Sequence, residues 1–92
     1  MFVTYVLYSR KLNRYYVGHT QNMDVRLAQH NRGMVKSTKG GRPWQIIYTE
    51  PYETKNGAYG RERKIKSYKS GRAFTALIGT GVGTEAVKRG RL

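Results

Sequence analysis

The stretch Arg14–Asn31, which reads RYYVGHTQNMDVRLAQHN, holds more chemically active side chains than the core of a small domain needs. Three of them form a set: Tyr16 carries a phenol, Arg26 a guanidinium and His30 an imidazole. A phenol can orient water, a guanidinium can clamp two phosphate oxygens, and an imidazole exchanges a proton near neutral pH. Such groups could serve hydrolysis of a phosphodiester bond, which needs an attacking water and stabilisation of charge on the phosphoryl oxygens. The alternative for Arg26, which its residue type alone favours, is a solvated helix arginine.

A carboxylate that could hold a metal ion stands in the basic stretch Thr54–Gly71. Ala58 and Ile65 mark the inner face of a predicted helix, and Glu62 lies between them at helical spacing. We expect Glu62 to point inward without a partner, while the neighbouring lysines and arginines point elsewhere. An unpaired buried carboxylate is costly, whereas a hard oxygen ligand suits Mg²⁺ or Mn²⁺. The alternative is a carboxylate that only neutralises its own lysine-rich helix.

The charge balance points to a polyanionic partner. Eighteen Lys and Arg face five Asp and Glu, which gives a formal net charge of +13. Nucleic acid is the partner that this excess favours, because contacts from Lys and Arg to phosphates supply most non-specific binding. The alternatives are a basic protein kept soluble by its charge and a protein that binds acidic membranes. The candidate nucleic-acid contacts are His19, Lys36, Lys39, Arg42, Arg61 and Lys66.

Length and composition bound the class of protein. A chain of 92 residues suits one compact domain, and without cysteine it forms neither disulfides nor thiolate metal sites. No apolar run approaches the roughly 18 residues of a membrane span, and the first residues are too polar for a signal peptide. We therefore predict a cytoplasmic protein that contacts no membrane and uses no small-molecule cofactor. The oligomeric state is left open.

Two predicted strands bring the first candidate residues together. Phe2–Ser9 and Arg14–Thr20 are rich in β-branched and aromatic residues, and the short polar link between them predicts an antiparallel hairpin. If the strand ends pair, Tyr5 falls opposite Gly18 and lies diagonal to Tyr16 on one face of the sheet. Because glycine has no side chain to cover the ring, we expect an open aromatic ledge there. The alternative for both tyrosines is ordinary strand packing.

The remaining segments predict helices around one more strand. In the predicted helix Asn22–Gly33, Arg26 and His30 lie at i and i+4, on a stripe beside the core stripe. Asn22 suits the N-cap and Gly33 suits the position after the last turn. The segments that follow are a basic loop Met34–Pro43, a strand Trp44–Tyr52 that ends or bulges at Pro51, the helix Thr54–Gly71, a short helix Ala73–Gly79 and a tail Thr80–Leu92. We expect residues 1–79 to form the domain and residues 80–92 to be a flexible basic tail.

Taken in order, several of these pieces resemble a known family. The pieces are VTY (Val3–Tyr5), YVGHT (Tyr16–Thr20), RLAQHN (Arg26–Asn31), TKGGRPW (Thr38–Trp44) and RERKIK (Arg61–Lys66). Together they resemble the GIY-YIG nuclease domain, and most closely its small single-domain members. The resemblance runs from Phe2 to Ile78. Val3 and Thr4 stand in place of the glycine and isoleucine of the name motif, whose tyrosine is present as Tyr5.

The resemblance implies an α/β protein of the α+β sandwich type, with a three-stranded antiparallel sheet flanked by helices. It also implies one divalent metal ion, Mg²⁺ or Mn²⁺, and hydrolysis of phosphodiester bonds in nucleic acid. In these roles Tyr16 activates water, Arg26 clamps the phosphate and Glu62 binds the metal, with Tyr5 and His30 as further catalytic residues. We predict DNA as the substrate. The alternative is a nucleic-acid-binding module of the same fold that does not catalyse a reaction.

The two histidines depart from part of the family. His19 stands where the excision-repair incision nucleases carry a lysine, and it could contact a phosphate or only fix the end of its strand. His30 stands where those enzymes carry a tyrosine, whereas the small members have histidine. It could relay or accept a proton, since its ordinary pKa lies closer to neutrality than that of a phenol.

Overall fold

The computed structural model describes residues 1–69 and 71–79. Their elements, in chain order, are β1 (Phe2–Ser9), β2 (Arg14–Thr20), α1 (Met23–Asn31), a short 3-10 helix (Lys36–Gly41), β3 (Trp44–Tyr52), α2 (Lys55–Tyr68) and α3 (Arg72–Gly79). The predicted α+β class is confirmed, and the predicted tail of residues 80–92 lies outside the described residues. Within the described ranges, every helix is too short or too polar to traverse a lipid bilayer.

The three strands form one antiparallel sheet in the order β2-β1-β3. The predicted hairpin register is confirmed, because Tyr5 pairs with Gly18 and Leu7 pairs with Tyr16. Since β1 is central, β2 has no further described strand beside it. We call that unpaired side the outer edge of β2.

The third strand differs from the prediction at its proline. β3 neither ends nor bulges at Pro51 but continues to Tyr52. A proline is tolerated there because β3 is an edge strand, where the missing N–H removes no bond that the ladder needs. The irregularity lies instead opposite the step from Val6 to Leu7, where Ile47 is the extra residue.

The two faces of the sheet are covered by different helices, because side chains alternate along each strand. On one face, Tyr5, Leu7 and Trp44 form a core against which Met23 and Leu27 of α1 pack. We call this the α1 face. The opposite side, which we call the α2 face, carries the cluster of Val6, Val17, Tyr48, Ile65 and Phe74.

Both long helices begin at the capping residues that the sequence predicts. The Asn22 side chain accepts a hydrogen bond from the backbone N–H of Val25 at 3.1 Å, and the Thr54 hydroxyl accepts one from Gly57 at 3.0 Å. After α1, Gly33 adopts a φ of +78°, in the left-handed region that favours glycine. These local signals set the ends of the helices and therefore the direction of every side chain on them.

Side-chain bonds tie α1 to β3 through the segment predicted as a basic loop. That segment, residues 34–43, contains the 3-10 helix, which the prediction missed. The backbone N–H of Trp44 donates to Oδ1 of Asn31 at 2.6 Å, and Nδ2 of Asn31 donates to the Trp44 carbonyl at 3.2 Å. The indole N–H of Trp44 donates to the carbonyl of Thr38 at 2.8 Å. These bonds hold the 3-10 helix against the α1 face.

Candidate active site

The candidate residues meet at the outer edge of β2, where the two faces of the sheet come together. Tyr5 reaches this edge from the central strand because Gly18, its partner on β2, leaves room for the ring to lie across the strand. A Cβ atom on Gly18 would lie 2.6 Å from the Tyr5 hydroxyl oxygen. Glycine is therefore required here by the close approach of a side chain.

The Tyr5 ring is not the open ledge that we expected. Its exposed fraction is only 1 %, because the rings of Tyr16 and His30 lie against it at centroid distances of 6.4 and 6.0 Å. Burial raises the pKa of Tyr5 to about 12, although a hydrogen bond to Arg26 opposes the rise. Tyr5 therefore stays protonated at neutral pH and cannot serve there as a base.

His30 packs against Tyr5 and accepts a hydrogen bond from its hydroxyl group. The Tyr5 hydroxyl donates to Nε2 of His30 at 3.0 Å, and Nδ1 of His30 donates to the Thr38 hydroxyl oxygen at 2.7 Å. The Thr38 hydroxyl in turn donates to the carbonyl of Val35 at 3.3 Å. Because the Thr38 proton is used on that carbonyl, we assign the Nδ1-protonated tautomer to His30. This chain of bonds orients the Tyr5 phenol.

The pKa of His30 is lowered to about 4, first by burial and then by the positive charge of Arg26. The pKa near neutrality that the sequence suggested for a proton relay is therefore not found. At pH 7 the imidazole is neutral, which leaves Nε2 free to accept from Tyr5. His30 is also fully buried, so it positions the phenol and does not itself contact an attacking water.

We expect His30 to lower the free energy of unfolding as the pH falls below about 6.5. An unfolded histidine has a pKa of 6.5 and the folded value is about 4, so the unfolded chain binds the proton first. The contribution of His30 is complete above about pH 6.5 and is lost as the pH drops toward about 4, by roughly 3 kcal/mol. Urea unfolding of the wild type and of His30→Gln across this range measures the effect. The wild type should lose stability relative to the variant as the pH falls, and a constant difference would contradict the buried neutral imidazole.

Arg26 projects from α1 toward both phenols. Its side chain is half-buried, and Nη1 donates to Oε1 of Gln29 at 2.9 Å. A hydrogen bond with the Tyr5 phenol raises the pKa of Arg26 above its ordinary value, against the effect of burial and with further contributions from Tyr16. The guanidinium thus stands beside both hydroxyl groups. Its planar fork is the shape that binds two oxygens of one phosphate.

Tyr16 is packed on its edges and partly open to solvent. Its ring lies 5.0 Å from the His30 ring and 6.4 Å from the Trp44 ring, both in edge-to-face geometry. The half-buried phenol is therefore held in one orientation by its neighbours. A fixed hydroxyl with access to solvent is suited to orienting a water molecule.

Glu62 reaches the same edge from the α2 face. It is 9 % exposed and lies between the buried residues Ala58 and Ile65, as its helical spacing predicts. The expectation that it lacks a partner is wrong, because Nδ1 of His19 donates to Oε1 at 2.5 Å and Nζ of Lys66 donates to Oε2 at 2.6 Å. Lys66 follows Glu62 by four residues on α2, and the strand alternation turns His19 toward the same helix.

The structure brings the five predicted catalytic residues together, although they come from both sides of the sheet. Glu62 lies close enough to Tyr5 that its negative charge adds to the rise in the Tyr5 pKa. The remaining three surround the same phenol through ring contacts and a hydrogen bond, as described above. The five are Tyr5, Tyr16, Arg26, His30 and Glu62. Their roles in a reaction stay predictions.

The donor groups fit a hydrated Mg²⁺ or Mn²⁺ better than a metal caged by protein ligands. In residues 1–69 and 71–79, no three His, Cys, Asp or Glu side chains converge. One carboxylate with several waters is nevertheless an ordinary way to hold Mg²⁺. A carboxylate offers about four acceptor positions, and His19 and Lys66 occupy one on each oxygen of Glu62. The positions that remain can bind a cation at the partly open edge.

Three of the predicted nucleic-acid contacts lie around the 3-10 helix. Lys36, Lys39 and Arg42 are exposed, and Nε of Arg42 donates to the carbonyl of Lys39 at 2.8 Å. They stand on the side of the molecule that carries α1 and are not part of the catalytic cluster. Their contact with nucleic acid stays a prediction.

Arg61, also predicted to contact nucleic acid, is engaged in holding α2 to β3. Its Nε donates to Oε1 of Glu50 at 2.7 Å, and the same carboxylate accepts from the hydroxyls of Tyr48 at 2.7 Å and Tyr52 at 2.5 Å. Although burial opposes it, the hydrogen bonds from Tyr52 and Tyr48 and the charge of Arg61 lower the pKa of Glu50. This network gives Arg61 a structural role, whatever else it contacts.

Sequence reasoning missed one residue that supports the site, Thr38, and the pairing of another, His19. Thr38 is 1 % exposed and orients His30, but a threonine in a glycine-rich basic segment carries no signal of burial. His19 was predicted as a phosphate contact or a strand end; it is also a partner of Glu62, and its contact with a phosphate stays a prediction. The strand alternation that puts His19 on the same face as Val17 was a signal that could have found this pairing.

The fold and these residues agree with a family match. A family model described as the GIY-YIG catalytic domain matches residues 1–73. The chain belongs to the GIY-YIG family and so to the GIY-YIG nuclease superfamily, as its motifs predict.

Several similar proteins are named UPF0213 proteins. UPF0213 proteins of Staphylococcus aureus, such as that of strain Mu3 and SAV0488 of strain Mu50, are 44 % identical to this chain over 54 residues. The match covers 58 % of this chain and 66 % of theirs. The solution NMR structure of the UPF0213 protein BH0048 from Bacillus halodurans is similar with a TM-score of 0.55 at 23 % identity, over 100 % of this chain and 97 % of that one. This likeness confirms the fold.

Proposed function

We propose that this protein is a metal-dependent endonuclease that hydrolyses phosphodiester bonds in DNA. The observation that supports this most is the meeting of two phenols, a guanidinium and a largely buried carboxylate at one edge of the sheet. Membership of the GIY-YIG family supports the same conclusion. The formal net charge of +13 supplies the attraction to a polyanionic substrate.

The position of each residue indicates a distinct role in this reaction. Arg26 binds two oxygens of the scissile phosphate and stabilises the negative charge that develops there. Tyr16 orients the attacking water and receives its hydrogen bond. Tyr5 directs its proton to His30, so its oxygen faces the site as an acceptor and holds Arg26 in place.

Glu62 would hold the metal ion from the α2 side of the edge. A bound Mg²⁺ or Mn²⁺ supplies neutralisation of phosphate charge and assistance to the leaving oxygen. His19 and Lys66 fix the carboxylate by one bond to each oxygen. The carboxylate is therefore held in one orientation before a metal binds, which reduces the ordering that binding must impose.

One observation favours the alternative, a nucleic-acid-binding module without catalysis. Both oxygens of Glu62 already accept hydrogen bonds from His19 and Lys66. That pairing satisfies the carboxylate and joins α2 to β2 without any metal ion. A protein that had lost the reaction could retain Glu62 for this reason alone.

Incubation of the pure protein with supercoiled plasmid, single-stranded DNA and RNA tests the proposal. Each substrate is offered with Mg²⁺, with Mn²⁺ and with EDTA, and Glu62→Gln purified in the same way controls for contaminating nucleases. We expect the wild type to cleave DNA with either metal and to stop in EDTA. Absence of cleavage on every substrate, together with retained binding in a gel shift, would favour the binding module.

A further inference from the structure

An open groove on the α2 face continues from the catalytic cluster along β2. Its volume is about 670 Å³, and it lies between β2 and the C-terminal part of α2, with α3 at one side. That volume falls within the range of about 300–1,000 Å³ in which proteins bind small ligands. The residues that give the groove its character are Arg14, Tyr15, Val17, Lys66, Lys69 and Phe74.

Tyr15 forms an aromatic surface within the groove. The side chain of Tyr15 is 43 % exposed, although strand packing would bury a residue of this size more completely. Its ring is held by edge contact with Phe74 at 5.0 Å and by a tilted contact with Tyr8 at 5.1 Å. Tyr15 therefore presents a fixed and partly uncovered aromatic surface, beside the apolar side chain of Val17.

The groove also carries positive charge beside this aromatic surface. Arg14, Lys66 and Lys69 line it, and the part of the groove lining formed by described residues contains no acidic side chain. An aromatic ring flanked by cations is the combination that binds single-stranded nucleic acid, since the base stacks on the ring while the cations contact phosphates. An apolar partner would leave these charges without a counterpart.

The groove and the catalytic cluster share residues. Lys66 lines the groove while its Nζ lies 2.6 Å from Glu62. Tyr16 also borders the groove, although its ring packs on the α1 face. Lys69 is the residue just after the end of α2. A nucleic acid strand whose phosphate lies on Arg26 and Glu62 would thus pass Lys66 as it enters the groove.

We infer that this groove binds an unpaired nucleotide next to the scissile phosphate, with its base stacked on Tyr15 and its backbone contacted by Arg14 and Lys69. The inference rests on the proposed function for the location of that phosphate. A base within a duplex is already stacked on its neighbours and cannot lie on the ring. The substrate class of the enzyme is then single-stranded DNA, or DNA with an unpaired end or junction.

Binding measured without cleavage tests this inference. Fluorescence anisotropy in EDTA compares a labelled single-stranded oligonucleotide with a duplex of the same sequence. We expect Tyr15→Ala to weaken single-strand binding roughly tenfold or more, as loss of one base–aromatic contact does, and to change duplex binding less than about twofold. Tyr15→Phe, which keeps the ring, should bind the single strand like the wild type.

Two further variants distinguish loss of the groove contacts from misfolding and from the loss of one positive charge. Tyr15→Leu keeps apolar bulk against Phe74 and so protects the fold, and it should show the same selective loss as Tyr15→Ala. Arg14→Gln should weaken single-strand binding more than Arg10→Gln, which removes the same charge from the exposed hairpin turn. Thermal unfolding of each variant confirms that it is folded.

The outcomes distinguish this inference from the proposed function. Equal loss of single-strand and duplex binding in Tyr15→Leu, or no loss in either, would overturn the inference even if the wild type cleaves DNA. A selective loss in EDTA would support the groove even if the wild type cleaves nothing, since no step of the binding assay depends on catalysis. A wild type that binds the duplex more tightly than the single strand would also count against the inference.

Discussion

Glu62→Gln is expected to reduce metal-dependent cleavage at least about a hundredfold, which is the scale of losing one charge-stabilising group in a catalytic site. The amide keeps the shape of the side chain but removes the negative charge that holds Mg²⁺ or Mn²⁺. Binding of DNA in EDTA should be equal to that of the wild type or tighter, because a negative charge beside the phosphates is gone. Cleavage of the DNA substrate that the wild type cuts best and a gel-shift titration, run side by side, measure the two effects.

Glu53→Gln is the matched control for this experiment. It makes the same change of charge at an exposed position just before α2, and it should cleave like the wild type. The stability of Glu62→Gln should stay near that of the wild type, since the amide oxygen still accepts from His19 and the half-exposed Lys66 regains water. Cleavage by Glu62→Gln at the wild-type rate would remove Glu62 from the metal site.

Arg26→Ala is expected to slow cleavage by about 10²–10³-fold while leaving most of the DNA affinity. The guanidinium contributes mainly where charge develops on the phosphate, whereas general attraction comes from all 18 Lys and Arg residues. Arg26→Lys should recover little, because an ammonium lacks the planar fork that binds two oxygens. Initial rates at saturating DNA concentration, with affinity measured in EDTA, give both quantities.

Arg32→Ala provides the comparison for the loss of one positive charge. Arg32 is exposed at the end of the same helix, and its capping contacts are made by its backbone. It should cleave at nearly the wild-type rate. If Arg26→Ala and Arg32→Ala behave alike, Arg26 does not act on the transition state, and the site as assigned is wrong.

The fold could be predicted closely wherever local chemistry decides it. The pairing of Tyr5 with Gly18 follows from a short polar turn and two strands of definite length, because the register of a hairpin depends on both. The starts of α1 and α2 follow from Asn22 and Thr54, whose side chains cap the helices. None of these features depends on a distant part of the chain.

The parts that could not be predicted depend on distant contacts. His19 and Glu62 are separated by 43 positions in the sequence, and their bond exists only because α2 crosses the sheet beside β2. The burial of Tyr5 depends likewise on where His30 and Thr38 come to lie. Alternation within a strand indicates which face a side chain occupies, but it does not indicate what covers that face.

The resemblance to the GIY-YIG family identified candidate residues, whereas the structure supplied the physical reasons for their positions. The resemblance selected Arg26, which on its own would be explained as a solvated helix residue. The structure added a physical reason for its position, since the neighbouring phenols of Tyr5 and Tyr16 raise the pKa of Arg26 and so favour its charged form there. It also shows that His30 is buried and that its pKa is lowered, which argues against the predicted proton relay.

The order of the catalytic residues along the chain has a consequence for biosynthesis. Tyr5, Tyr16, Arg26 and His30 all precede β3, whereas Glu62 arrives with α2. Because the N-terminal part of a chain leaves the ribosome first, the hairpin and α1 are available before the carboxylate is. Under the proposed function, a chain in which α2 has not yet docked lacks the metal ligand. Cutting therefore begins only after α2 has packed against the sheet.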